Sequence, residues 1–167
     1  MKNKLYFLFI LIFVFAGCRT TKAVSGSGNS TLVIMIVDEN NNAVGDYCLT
    51  LSAADGTNKT EQRLTASDGF CVFQAMQPGN YYLSGEKSIY TKIDKTLISV
   101  SDKGEVFCFG VTTGKGVFQR VNALYDSGMY KQGINCLEQL DYEQNDELKK
   151  AVLLFKEYGM SMLEVME

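Results

Sequence analysis

Between Thr31 and Val111, seven short apolar segments alternate with clusters of turn-forming residues, and this alternation constrains the fold most strongly. The breaks are rich in Asn, Asp, Gly and Ser, which accept positive φ or bond their own backbone. The segments are 31–37, 47–54, 60–66, 70–76, 81–87, 92–100 and 105–111. Their spacing of about 8–12 residues is typical of sandwiches, so the sequence predicts a seven-stranded antiparallel β-sandwich.

Apolar and polar residues alternate within these segments. Tyr47, Leu49 and Leu51 share one face of the second segment, and Cys48, Thr50 and Ser52 share the other. In later segments the inward positions are Cys71, Phe73, Tyr81 and Leu83. A period of two is typical of a half-buried strand, so these side chains are predicted to face the core.

The segment SDGFCVFQAMQPGNYYLSGEK, 67–87, resembles the central signature of carboxypeptidase regulatory-like domains, which are prealbumin-like, immunoglobulin-like sandwiches. The matching positions are Asp68, Gly69, Cys71, Phe73, Met76, Pro78, Gly79, Tyr81 and Leu83. Upstream, 34–52 resembles the opening strand, turn and second strand of that family, with Ile36, Asp38, Val44, Leu49 and Leu51 in place. The resemblance implies a structural or binding module without activity of its own.

After residue 116 the apolar period becomes helical. Three sets of apolar residues recur at i, i+4 and i+7, and predict three helices. The sets are Val117, Val121, Leu124; Tyr130, Ile134, Leu137; and Leu148, Val152, Phe155. Gly128 and Gly159 are predicted to end helices, and Asn145 or Asp146 to begin one.

The stretch 124–140 resembles one tetratricopeptide helix-turn-helix, with Gly133 in place of the usual Ala. Because about three such repeats are needed to build a core, a single hairpin requires further packing. The helices are therefore expected to pack on each other or on the sandwich, as a helical tail over 116–167.

The N-terminus has the composition of a secretory signal. Lys2 and Lys4 precede an apolar run, 5–16, which is shorter than the ~20 residues of a transmembrane helix. The following Phe15-Ala16-Gly17-Cys18 resembles a bacterial lipobox, with Phe15 where Leu is usual. The resemblance implies a lipoprotein signal peptide at 1–17 and attachment of lipid, such as palmitate, at Cys18. The alternatives are an ordinary secreted protein cut nearby and an uncleaved anchor.

A polar segment rich in Gly, Ser and Thr follows this cysteine and predicts a flexible tether over 18–30. The predicted organisation is therefore a signal peptide, the tether, a carboxypeptidase regulatory-like sandwich at 31–111 and the helical tail. The predicted location is the bacterial cell envelope, with the membrane leaflet left open.

The composition excludes several classes of function. The chain has no histidine, which rules out Ser-His and Cys-His nucleophile pairs and His-ligated metal sites. A net charge of −3 without a basic cluster argues against nucleic acid. The sequence therefore predicts no catalytic residue, no metal and no cofactor, and leaves a carboxylate-dependent hydrolase as a weak alternative.

Smaller signals have competing interpretations. Asp38, Asn40 and Asn42 have the spacing that opens a calcium loop, but Ala43 occupies the glycine position and Leu49 the final glutamate position. An Asx-rich turn is therefore preferred. The remaining cysteines lack a C-x-x-C spacing, which argues against zinc, and their pairing in disulfides stays open. They are Cys48, Cys71, Cys108 and Cys136.

These observations predict a non-catalytic, lipid-anchored binding or scaffold module that contacts an envelope protein through the helical tail or a sheet edge. The alternative is a carbohydrate-binding module at the cell surface. In that hypothesis Tyr82 and Tyr90 are the ligand-contacting aromatic residues, whereas ordinary strand aromatics are the simpler explanation.

Overall fold

The computed structural model describes residues 28–57 and 59–166, so Cys18, the predicted signal peptide and most of the predicted tether lie outside the described residues. The strands are β1 Ser30–Val37, β2 Cys48–Ala53, β3 Thr60–Leu64, β4 Phe70–Met76, β5 Gly79–Glu86, β6 Ile93–Val100 and β7 Glu105–Gly110. The helices are α1 Gly114–Asp126, α2 Tyr130–Glu138 and α3 Asp146–Met166. The predicted combination of a β-sandwich and three helices is confirmed.

The strands form two sheets, in the orders β4-β1-β7 and β3-β2-β5-β6. Val33 of β1 pairs antiparallel with Val72 of β4 but parallel with Val106 of β7. The prediction of a wholly antiparallel sandwich is therefore wrong at this one pairing. The physical reason is that β6 and β7 lie in different sheets, so the turn between them carries the chain across the sandwich instead of closing a hairpin.

The inner faces of both sheets form one core. The residues predicted to face inward are all buried: Tyr47, Leu49, Leu51, Cys71, Phe73, Tyr81 and Leu83. Tyr81 lies near the beginning of β5, an interior strand, and its hydroxyl donates a hydrogen bond to the Gln77 carbonyl at 2.7 Å. Full burial of one large apolar side chain contributes roughly 1.5–3 kcal/mol, so the alternating pattern is the main source of stability.

Local capping sets the ends of the helices. The Thr113 hydroxyl accepts a hydrogen bond from the Gly116 N–H at 3.1 Å and begins α1. Beyond its end, Gly128 has a φ of +73°, while the N–H groups of Gly128 and Met129 donate to the last turn. Asn145 caps α3 by accepting from the Leu148 N–H at 3.0 Å. The predicted caps at Gly128 and Asn145 are confirmed.

Gly159 does not end a helix, and that prediction is wrong. It lies inside α3, buried against Tyr125 of α1, and a Cβ at this position would collide with the Tyr125 hydroxyl. Gly133 of α2 has the same role, because its Cβ would collide with the Tyr125 ring. The two glycines therefore make room for one tyrosine at the centre of the helical cluster.

The helices pack on each other, and the loop between α2 and α3 docks on the sandwich. Ile89 N–H donates to the Asp141 carbonyl at 3.0 Å, and Asp141 N–H donates to the Tyr90 carbonyl at 2.8 Å. Lys92 N–H donates to the Gln139 carbonyl at 2.7 Å. The β5–β6 loop and the α2–α3 loop thus pair by backbone hydrogen bonds.

The direction of β1 places the two ends of the sandwich far apart. Gly28 and Asp102 line the end at which β1 begins, which we call the near pole. Val37 pairs with Gly110 at the other end, the far pole, from which the chain continues into α1. The 8 residues of β1 span roughly 26 Å at about 3.3 Å each.

Candidate functional site

A groove of about 440 Å³ lies between α1 and α3, and we call it the α1–α3 groove. Its lining residues are Asn122, Tyr125 and Asp126 of α1 and Leu154, Phe155 and Tyr158 of α3. Below the groove the two helices meet through aromatic rings, with 4.9 Å between the ring centroids of Phe118 and Phe155. The groove therefore has an aromatic floor and one wall on each helix.

Tyr125 fixes the floor of the groove. Its hydroxyl donates to the Phe155 carbonyl at 2.8 Å, and its ring lies 5.7 Å from that of Tyr158. Burial raises the pKa of Tyr125, so the hydroxyl stays protonated at neutral pH. Because the ring is held between two glycines and its hydroxyl is bonded, the floor is set before any ligand arrives.

The α3 wall presents apolar surface to solvent. The side chains of Leu154 and Tyr158 are 65% and 52% exposed. Val165 is also exposed and lies on the same face of the helix, since i, i+4 and i+11 fall close together at 3.6 residues per turn. Ser161 lies between Tyr158 and Val165 on this face, so the adjacent exposed apolar pair is Leu154 and Tyr158. Neighbouring exposed apolar residues indicate an interaction surface more often than scattered single residues do.

The α1 wall carries negative charge. Asp126 is the last residue of α1, and no basic residue occupies the last turn of that helix. Within 28–57 and 59–166, no ion pair involves the Asp126 carboxylate. The helix C-terminus adds a partial negative charge of about half a unit. The groove is thus apolar on one wall and acidic at one end of the other.

The structure places Tyr82 and Tyr90 in different environments and does not bring them together. Tyr82 lies on the outer face of β5, where the Lys95 ammonium is 4.1 Å from its ring centroid. Tyr90 lies in the β5–β6 loop, packs against the sandwich core and has the Lys87 ammonium 5.5 Å from its ring centroid. They do not form one aromatic platform.

A second, polar groove of about 280 Å³ lies beside Tyr82 on the four-stranded sheet, and we call it the β5–β6 groove. Its lining includes Thr50 of β2, Ser84 of β5 and Lys95 of β6. The lining also carries the carboxylates of Glu86 and Asp94, and Lys95 is the lining residue that contacts the Tyr82 ring.

The Asp38 loop is an Asx turn. The Asp38 carboxylate accepts hydrogen bonds of 2.8 Å from the N–H groups of Asn40 and Asn42. The additional bond from the Asn42 side chain lowers the pKa of Asp38 most strongly. In the described part of the chain, no cluster of three or more His, Cys, Asp or Glu residues could hold a metal ion.

The four cysteines of the sandwich and helices are free thiols in the described structure. Cys71 is buried in the core, and burial raises the pKa of its thiol to about 11. At neutral pH this group is a small apolar core residue and not a thiolate nucleophile.

The outer face of the three-stranded sheet is unusually apolar. Two rows cross it at the registered positions: Val72, Val33 and Val106, then Phe70, Met35 and Cys108. Val106 is 71% exposed, and the β1 residues in the middle are half-buried. We call this surface the apolar outer face. The continuous apolar run of β1 is typical of a strand covered on both sides.

Comparisons with known proteins assign no family. No family model matches the chain, and no curated protein matches it. Among solved structures it is similar to the group B streptococcus pilus 2b backbone protein, with 16% identity, a TM-score of 0.45 and coverage of 52% of this chain and 42% of that one. It is also similar to BcpA, the major pilin subunit of Bacillus cereus, with 13% identity, a TM-score of 0.44 and coverage of 52% and 30%.

A further similar structure is the hydroxyquinol 1,2-dioxygenase from Pseudomonas putida DLL-E4, with 11% identity, a TM-score of 0.46 and coverage of 55% and 59%. The chain thus spans less than half the length of either pilin. At these identities and TM-scores we draw no functional conclusion from the likeness, and the resemblance to carboxypeptidase regulatory-like domains stays a prediction.

The sequence pattern did not reveal the α1–α3 groove. The sequence predicts an apolar stripe of Leu148, Val152 and Phe155 on α3, and each of these residues lies in or against the helical cluster. Leu154 and Tyr158 form a second apolar stripe beside it, so the apolar surface of α3 is wider than packing on one neighbour requires. The width of this surface is the feature of the sequence that could have indicated the groove. No helix in the described part of the chain is long and apolar enough to cross a membrane.

Proposed function

We propose that this protein is a non-catalytic, lipid-anchored module of the bacterial cell envelope that binds a protein partner through its helices. The observation that carries the proposal is the exposed α1–α3 groove. The helices that form it come after the far pole of the sandwich, whereas the chain enters the sandwich at the near pole. An anchor at Cys18 would hold the near pole towards the membrane. The sandwich would then act as a spacer that presents the helices outward.

The anchor in this proposal is Cys18, whose thiol is lipidated before cleavage after residue 17 makes it the mature N-terminus. One acyl chain binds a membrane weakly and reversibly, whereas two or more give stable attachment. The tether would let the sandwich stand away from the lipid surface.

Substitution of Cys18 by Ala tests the anchor. We expect Cys18→Ala to prevent lipid labelling and to leave the precursor uncleaved, as measured by metabolic labelling with a clickable palmitate and by gel mobility. Ser30→Ala is the matched control and should be labelled and cleaved normally. A Cys18→Ala protein that is labelled and processed like the wild type would refute the anchor.

Photo-crosslinking in intact cells tests the binding surface. A benzophenone amino acid at Tyr158 should capture a defined envelope protein, because that side chain is exposed in the α1–α3 groove. The same amino acid at Asp102, at the near pole, is the control and should not capture that protein. Capture of the same set of products at both positions, or of lipid and bulk glycan alone, would contradict the proposal.

Carbohydrate binding at the β5–β6 groove is the second candidate. It is favoured by the hydroxyl groups of Thr50 and Ser84, which line this groove, and by the Tyr82 ring, which Lys95 of the same groove contacts. It predicts retention of the purified protein on immobilised cell-wall glycan and loss of retention in Tyr82→Ala. Because Tyr90 lies elsewhere, Tyr90→Ala should retain binding if this groove is the site, and equal loss in both variants would argue against it.

A further inference from the structure

The shape of the α1–α3 groove suits a short peptide segment. Its volume of about 440 Å³ is within the range of roughly 300–1,000 Å³ that is usual for ligand clefts. The floor is held in place by the hydrogen bond of Tyr125 and by its contacts with Phe155. A preset floor lowers the ordering cost of binding.

The chemistry of the two walls differs and specifies two neighbouring groups on the ligand. On α3, Leu154 and the ring of Tyr158 offer exposed apolar surface. On α1, Asp126 combines its carboxylate with the negative end of a helix that has no basic residue in its last turn. The face of Tyr158 would add a cation–π contact to a cation held by Asp126.

We propose that the α1–α3 groove binds a segment of a partner protein in which an apolar side chain lies beside Lys or Arg. The apolar side chain packs between Leu154 and Phe155, and the cation pairs with Asp126. Charge complementarity favours this occupant over an acidic segment, which Asp126 would repel. The inference rests on the proposed function, because it names the chemistry of the partner at that same surface.

A displayed library of random peptides tests the inference against the purified full-length protein in detergent micelles. We expect the enriched peptides to share an apolar residue next to Lys or Arg. Labelled copies of these peptides should bind about fivefold more weakly to Asp126→Asn and at least about tenfold more weakly to Leu154→Ser. Charge-reversed peptides, with Glu in place of the basic residue, should not bind.

Matched controls separate the groove from the rest of the surface. Leu153→Ser removes a neighbouring exposed leucine of α3 that does not line the groove, and Asp102→Asn removes a carboxylate at the near pole. Both should bind the peptides within about twofold of the wild type, which is within the spread expected for uninvolved surface residues. Circular dichroism melts of all four variants show whether folding is retained.

Three results would overturn the inference. They are enrichment without the basic residue, equal binding by Asp126→Asn and the wild type, and a concentration-dependent dimer that Leu154→Ser abolishes in sedimentation. The last result would assign the groove to a second copy of this chain. If crosslinking at Tyr158 captures a protein in cells but the library selects no cationic peptides, this inference alone is overturned. If the peptides bind but crosslinking in cells captures no protein, only the proposed function is overturned.

Discussion

Tyr125 organises the helical part of the molecule through three contacts of one side chain. Gly133 of α2 and Gly159 of α3 leave the space for its ring, and its hydroxyl bonds the backbone of α3. A sequence pattern of period 3.6 predicts Leu124 for the core, but the structure buries Tyr125, which lies four residues after Val121 and fits the same period. The glycines were visible in the sequence, but their function depends on a residue of another helix.

Adding a methyl group at Gly159 should destabilise the protein. The new Cβ of Gly159→Ala would collide with the Tyr125 hydroxyl, and overpacking of this kind costs about 1–3 kcal/mol. The better helix propensity of Ala offsets up to about 1 kcal/mol of this loss. Urea unfolding should therefore show a lower midpoint.

Gly110→Ala is the matched control for that variant. A Cβ at Gly110 would meet no atom within 4 Å, and its φ is not in the left-handed region. Its free energy of unfolding should stay within about 0.5 kcal/mol of the wild type. If Gly159→Ala were as stable as this control, the close packing of Tyr125 against Gly159 would not contribute to stability.

Buried tyrosines should make the protein sensitive to alkali. Burial raises the pKa of Tyr47, whose hydroxyl donates to the Thr91 carbonyl at 2.8 Å. A group whose pKa is higher in the folded state stabilises the fold below its unfolded pKa, and the contribution is lost as pH rises through the folded value. The free energy of unfolding should therefore stay level near neutral pH and fall above about pH 10.

The Tyr47→Phe variant checks the origin of this pH dependence. It should lose about 1 kcal/mol at neutral pH with the hydrogen bond and show a shallower decline at high pH. Tyr82→Phe, on the outer face of β5, is the control and should keep the wild-type slope. An unchanged slope in Tyr47→Phe would show that other groups cause the alkaline loss.

At the level of elements, the sequence predicts the seven strands to within a few residues and the presence of three helices, although α3 continues past Gly159 to Met166. Turn chemistry and period made this feasible, since both are local properties of the chain. The parallel pairing of β1 with β7 was not predictable in the same way, because a period of two carries no information about the direction of a neighbour. The α1–α3 groove also depends on how two helices approach, which no single apolar stripe specifies.

The two faces of β1 should respond differently to truncation. Ile34 is fully buried in the core, so Ile34→Ala should cost about 2–5 kcal/mol in urea unfolding. Met35, its neighbour, lies half-buried on the apolar outer face, and Met35→Ala should cost less than half as much. If Ile34→Ala and Met35→Ala lose equal free energy of unfolding at protein concentrations that favour association, the apolar outer face is covered in solution.

At the scale of the whole molecule, the backbone pairing between the β5–β6 and α2–α3 loops joins the helical cluster to the far pole. Lys92 and Asp141 add an ion pair at 3.4 Å across the same junction. The Lys92 ammonium lies at the surface, whereas Asp141 is buried, so solvent screens the pair only in part. The ion pair therefore supplements the backbone bonds and the packed loops, which connect the two parts.

The orientation at a membrane can be measured directly. A fluorescent amino acid at Asp102 should be quenched more strongly by acceptor lipids than the same amino acid at Glu157, when the acylated protein is bound to vesicles. The reason is that Asp102 lies at the near pole, where the proposed tether would enter the sandwich, whereas Glu157 lies on α3. Stronger quenching at Glu157 would contradict the spacer role of the sandwich.

The parallel pairing of β1 with β7 also has a mechanical consequence. A membrane anchor would pull on β1 from the near pole, while a partner held by the helices would pull on β7 from the far pole. The hydrogen bonds that join Leu32–Val37 to Glu105–Gly110 then lie across the direction of the force and are loaded together. The two strands would be loaded in shear, so several hydrogen bonds must break together before the strands separate. The sandwich should therefore resist a pulling force between the anchor and the partner better than a pair of strands pulled apart one hydrogen bond at a time.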